Sequence, residues 1–162
     1  MSYPIRNDAN STSNVINIAG NMIKREASLR SQAPLTPGCL VTPYLGSANS
    51  SASLSGTTGE VEVASPGANL SVGVLDLSSA NGMNLTDEYH QGDQVPVLYP
   101  TKGCIVNVRL ETSASISANQ PLVIAEGGFV TSGELIDAIG VAREDVTAGD
   151  SELPSFIKME VL

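Results

Sequence analysis

The 162-residue sequence has no tryptophan, one histidine, two cysteines and only eight lysines and arginines against 17 acids. Each shortage removes a class of function. A net charge of -9 leaves no basic face to neutralise phosphates, so nucleic acid is not an expected partner. With aromatics at 4%, the stacking platforms of sugar-binding and sugar-cleaving sites are missing, and any core must be built from Val, Leu and Ile. The longest uncharged run, Ser31 to Gly59, contains Pro34, Pro37 and Pro43, so it does not form a membrane-spanning helix and no membrane partner is expected. The opening Met-Ser-Tyr-Pro-Ile-Arg-Asn-Asp has no apolar stretch of the secretory kind, and synthesis in a reducing cytoplasm is the expectation. In that setting the four Asn-x-Ser/Thr triplets, at Asn10, Asn49, Asn69 and Asn84, follow from an Asn- and Ser-rich composition rather than from glycosylation. Cys39 and Cys104 lack CxxC spacing, and each sits after Gly and before a branched pair, where a buried free thiol is expected.

Catalytic motifs are absent as well. There is no GxxxxGK[ST], GxGxxG or GxSxG element. A nucleophile–histidine arrangement would have to use His90, which lies in the acidic turn-rich stretch Asp87-Glu-Tyr-His-Gln-Gly-Asp93. Carboxylates beside a histidine can bind a metal or orient a base, but a local cluster of this kind is more commonly solvated surface. Cys39, His90 and Cys104 have no paired zinc-ligand spacing. The expectation is a protein with no catalytic residues, no metal and no cofactor. A small hydrolase centred on His90 is the opposing hypothesis.

What is present is a polar, β-patterned chain. Ser, Thr, Asn and Gly fill 56 positions, which suits many short strands separated by turns. Residues 1–30 carry Arg6, Lys24, Arg25 and Arg30 against Asp8 and Glu26, a net of +2, while residues 31–162 carry four bases against fifteen acids, a net of -11. Composition shifts at the same place, which divides the chain into an N-terminal arm, 1–30, and a β-rich domain, 31–162. Within the arm, Val15, Ile18, Ala19, Met22 and Leu29 approximate a helical stripe weakened by Gly20, predicting a short helix, with an extended arm as the alternative. Ile5, Arg6, Val15, Ile16, Ile18, Met22, Ile23, Lys24, Arg25 and Arg30 are its candidate contacts to a partner or a neighbouring subunit, apolar burial dominating over exposed charge pairs.

Beyond Pro34, period-two segments predict strands at Cys39–Leu45, Gly59–Val63, Ser71–Leu77, Gln94–Tyr99, Cys104–Leu110, Leu122–Ala125, Phe129–Thr131, Ala138–Ala142 and Phe156–Leu162. Cys104, Val106, Val108 and Leu110 fall on one face of theirs, as do Ile157, Met159 and Val161. Glu126-Gly-Gly marks a hairpin between two of them. Many short strands with almost no helix define an all-β barrel or sandwich. The uncharged segment 45–59, rich in Ser, Gly and Thr, predicts an exposed loop, with ordering of residues 47–59 on a partner as the alternative. A short echo, Pro37-Gly-Cys-Leu-Val against Lys102-Gly-Cys-Ile-Val, is compatible with duplication or with two similar turn-to-strand junctions.

The stretch Ser117-Ala-Asn-Gln-Pro-Leu-Val-Ile-Ala-Glu-Gly-Gly-Phe-Val, followed by Ile139-Gly-Val-Ala-Arg-Glu-Asp-Val-Thr-Ala-Gly-Asp, resembles the capsid decoration (cement) proteins of tailed double-stranded DNA bacteriophages. Pro34-Leu-Thr-Pro-Gly-Cys-Leu-Val is similar to the first strand of those proteins. The resemblance spans about 45 residues. It implies a small β-barrel or β-tulip fold, a homotrimer, and a structural virion role on the outer surface of the head, bridging copies of the major capsid protein. A head-fibre or cell-surface adhesin module that binds a receptor or glycan is the alternative from another class.

Overall fold

The computed structural model describes residues 16–44, 59–67, 71–78, 82–147 and 155–162. Among them the protein is nearly all β, as the strand pattern predicts. In chain order the strands are β1 (Asn17–Ala19), β2 (Met22–Leu29), β3 (Leu40–Pro43), β4 (Glu60–Val63), β5 (Gly73–Leu75), β6 (Gln94–Pro100) and β7 (Ile105–Arg109). They continue as β8 (Ser115–Ile116), β9 (Pro121–Ile124), β10 (Val130–Ser132), β11 (Gly140–Ala142), β12 (Val146–Thr147) and β13 (Phe156–Val161). Single 3-10 turns occupy Glu126–Gly128 and Leu135–Asp137.

Five strands close a barrel in the order β2-β4-β3-β5-β6, and six form a sheet in the order β1-β7-β13-β11-β9-β10. β12 and β8 make a separate two-stranded ribbon. Strand patterning explains how barrel and sheet join. A barrel strand has an interior face and an outer face, and where the outer face lies against the sheet both must be apolar. Neighbouring residues therefore go to different cores. Leu40, Val74 and Leu98 point into the core shared with the sheet, where they meet Val106, Val108, Leu122 and Ile157. Val41, Leu75 and Val97 fill the barrel with Leu29, Val61 and Tyr89. Along β7 and β13 Val106, Val108, Ile157 and Met159 are buried while Lys158 is exposed; Arg109, next to Val108, breaks the alternation by being buried as well.

The Gly-Cys echo resolves into one turn used twice. Cys39 donates its N–H to the Thr36 carbonyl at 3.2 Å and Cys104 to the Thr101 carbonyl at 3.0 Å. The glycine before each cysteine has φ of +93° and +89°, and each threonine Oγ1 lies 3.7 or 3.5 Å from the following cysteine Sγ. One turn launches β3 of the barrel and the other β7 of the sheet, so similar turn chemistry accounts for the likeness. Both thiols are free and buried, as expected. Gly140 is where strands approach closely: a Cβ there would lie 2.7 Å from the Glu160 carbonyl and nearer still to Met159.

The N-terminal region differs from its expectation. The predicted helix over Val15–Leu29 is replaced by β1 and β2, because β2 pairs with β6 over seven consecutive residues, Met22 to Ser28. That ladder outweighs a helical stripe already weakened by Gly20, whose φ is +106°. Nor is the second half of the predicted 1–30 arm separate from the body. β2 is a barrel stave, Ala27 and Leu29 are buried within it, and Ile16 is fully enclosed in the core beneath the sheet. Residues 1–15, and all of the predicted loop 45–59 but Gly59, lie outside the described residues.

Candidate attachment surface

Where the barrel meets the sheet, the surface opens into a trough. Two hollows of about 450 and 500 Å³ share Ala138 and Ile139 as a common wall. The first is lined by Ile23 of β2, Tyr99 at the end of β6, Val72, and Val161 and Leu162 at the end of β13. The second runs along β9 beneath Ile136 and carries the only charged lining residues of the two, Glu134 and Asp137. The 3-10 turn Leu135–Asp137 raises two adjacent apolar side chains off the sheet, Leu135 at 66% and Ile136 at 87% exposure. Ile23 is 54% and Leu162 51% exposed. Three of the five large apolar residues exposed among the described residues, Ile23, Ile136 and Leu162, thus line this seam; Leu135 adjoins Ile136 in the chain, and Ile18 sits on β1. A concave surface that exposes apolar side chains, with charge confined to one end, is a candidate interface. Burial pushes the Tyr99 phenol pKa up, so at neutral pH the ring contributes an uncharged wall.

The residues expected to make contacts from sequence are dispersed. Ile5, Arg6 and Val15 lie outside the described residues. Ile16 is core, and Met22 packs half-buried against the same core. Ile23 alone lines the trough. Lys24 pairs with Asp76 at 3.2 Å. Arg25 is exposed on β2. Arg30 pairs with Glu60 at 3.5 Å and lies 4.3 Å from the centre of the Tyr44 ring. Leu135, Ile136, Ile139 and Leu162 were not among the candidates, although the apolar pair Leu135-Ile136 set between Gly133-Glu134 and Asp137 was a readable signal.

The polar groups do structural work elsewhere. His90 is exposed and 3.8 Å from the Glu88 carboxylate, while its backbone N–H donates to Asp93 Oδ2 at 2.7 Å, closing a turn. No group of His, Cys, Asp and Glu side chains among the described residues is arranged to hold a metal. Asp76 is buried with Oδ2 on Lys24 and Oδ1 without a hydrogen-bond partner, and the Tyr89 hydroxyl donates to the Asp76 carbonyl at 2.7 Å. Burial first, and the Asp76 charge second, push the Tyr89 phenol pKa far up. Cys39 borders a separate hollow of about 320 Å³, and burial raises its thiol pKa, which disfavours the nucleophilic thiolate.

No protein-family model and no curated protein matches the sequence. Among solved structures it is similar to the N base of the head fiber gp8.5 of bacteriophage phi29, with a TM-score of 0.55 and 12% identity. The match covers 88% of this chain and 95% of that one, so the two chains share a fold over most of their lengths.

Proposed function

We propose that this chain is a structural protein of a phage virion, seated on the outer surface of the head and held to the major capsid protein through the apolar trough. The observation that carries this reading is the trough itself, which brings exposed Ile23, Ile136 and Leu162 to one seam. The shared fold with a head-fiber base and the sequence resemblance to decoration proteins both support it. At about 25 cal/mol per Å² of apolar area removed from water, burying such a patch supplies more than exposed charge pairs do. No catalytic step and no cofactor belong to this reading. It includes the homotrimer implied by the decoration proteins, which would repeat the seat around a shell vertex or capsomer and bridge neighbouring subunits.

The nearly full coverage of the phi29 head-fiber base favours a second version of the same seat, in which the domain is the foot of a fibre rather than a shell clamp. Heads lacking this protein, incubated with the purified chain and imaged by electron microscopy, test both. Density on the outer shell is expected. A rise in the temperature of DNA release on binding supports the clamp, whereas binding without such a rise supports the fibre foot. If the chain does not associate with heads at all, the proposal falls.

A further inference from the structure

Lys24 and Asp76 meet across β6. Along β2, Lys24 stands opposite Leu98 and Glu26 opposite Pro96, and on the other side of β6 Val74 stands opposite the same Leu98. Asp76, two residues beyond Val74, donates its N–H to the Pro96 carbonyl at 2.9 Å. Side chains alternate along a strand, so Lys24, Glu26 and Asp76 fall on one face of the barrel, the face of buried Val74 and Leu98. Lys24 Nζ lies 3.2 Å from Asp76 Oδ2. The Asp76 side chain is nine-tenths buried, and its Oδ1 has no hydrogen-bond partner. After burial itself, the charges of Asp76 and Glu26 both push the Tyr89 phenol pKa up, so both carboxylates lie near that ring. A buried carboxylate with one oxygen unpaired is costly, and losing its charge removes that cost.

We propose that Lys24 and Asp76 condense to an isopeptide, a covalent strut from β2 across β6 to the end of β5. One proton of the Lys24 ammonium passes to the Asp76 carboxylate by way of Glu26, the carboxylate on the same face. The freed Nζ lone pair attacks Asp76 Cγ and forms the N–C bond. A second nitrogen proton travels the same route to the carboxyl oxygen that leaves, and the C–O bond breaks with release of water. One ammonium and one carboxylate thus give one amide and one water, with Glu26 ending as it began. No oxidant, nucleotide or other reactant is needed. Half of the Lys24 side chain is exposed, which gives the water a path out. The bond closes the chain between residues 24 and 76 and so restricts the unfolded state, as a disulfide does.

The test is the intact mass of the purified full chain under denaturing conditions, measured beside Lys24→Arg and Asp76→Ala. The parent is expected to fall short of its sequence mass by one water, and neither variant to show that deficit. Proteolysis of the parent should release one branched peptide that carries both Lys24 and Asp76, and fragmentation should place the bond between them. Glu26→Gln is expected to leave most chains unlinked, and Glu26→Asp, which keeps a carboxyl, to restore the link. If a variant does not fold, the branched peptide of the parent decides. A parent at its full sequence mass overturns the proposal. So does a deficit that persists in Lys24→Arg, because the water is then lost elsewhere. Complete linkage in Glu26→Gln overturns the part given to Glu26.

Discussion

The guanidinium carbon of Arg109 lies 3.9 Å from the centre of the Phe156 ring, and the same side chain donates from Nε to the Pro37 carbonyl at 3.0 Å and from an Nη to the Leu85 carbonyl at 2.6 Å. Arg109 is only 3% exposed, and burial lowers its pKa, yet the stacked ring and the carbonyls keep the charge solvated from within. It ties the end of β7 to the turn before β3 and to the loop before β6. Arg109→Ala is therefore expected to cost about 2–4 kcal/mol, because one buried and one part-buried carbonyl lose their donor and the ring loses its cover. Denaturant unfolding measures it; a loss under about 0.5 kcal/mol would refute this role.

Beneath that pair sits Gly38, with φ of +93° and a would-be Cβ that overlaps the Phe156 ring edge. Gly92 has φ of +92° but open space around it. Gly92→Ala pays the backbone strain alone, about 1 kcal/mol, whereas Gly38→Ala adds the collision and is expected to be at least about twice as costly. Equal melting temperatures for the two variants would show that Phe156 yields freely.

Alkaline pH should destabilise the fold. Burial raises the Cys39 thiol above its ordinary value near 9 and the Tyr89 phenol above its ordinary value near 10. The folded chain keeps protons that the unfolded chain releases, so this contribution is complete below about pH 8 and declines as pH rises past 9 and then 10. Tyr89→Phe is expected to lower stability by about 1 kcal/mol at neutral pH, through the lost bond to the Asp76 carbonyl, and to flatten the decline above pH 10. Urea midpoints measured across that range check the sign. A stability that increases toward pH 11 would contradict it.

Thiol titration should count no reactive cysteine in the native protein and two on unfolding, since Cys39 and Cys104 are 2% and 4% exposed. Rapid labelling of either thiol in the folded state would mean that its turn opens readily.

At the trough, Ile136→Asp changes a side chain that is 87% exposed, so the melting temperature should stay within about 2 °C of the parent. Head co-sedimentation should weaken about tenfold or more, as for a charge placed in an interface core. Undiminished binding would move the contact surface elsewhere.

Much of the β pattern was legible in the residues themselves. Cys104–Leu110 and Phe156–Leu162 place apolar side chains at alternate positions, and in β7 and β13 Val106, Val108, Ile157 and Met159 are buried accordingly. The Glu126-Gly-Gly hairpin was equally legible, since the chain must reverse between two apolar runs, and β9 pairs with β10 across it. Val15–Leu29 misled because its apolar spacing satisfies a helical stripe while its outcome depends on β6, a partner some 70 residues away in sequence.

By itself the sequence determined the all-β class and the Val, Leu and Ile core. These depend on local spacing and on composition, which act within a few residues. Only the tertiary structure decided that β2 is a barrel stave, that Leu40 and Val41 serve different cores, and that Ile23, Ile136 and Leu162 meet on one seam. Those relations depend on which distant strands pair and in what register, and a one-residue change of register would turn every side chain to the opposite face.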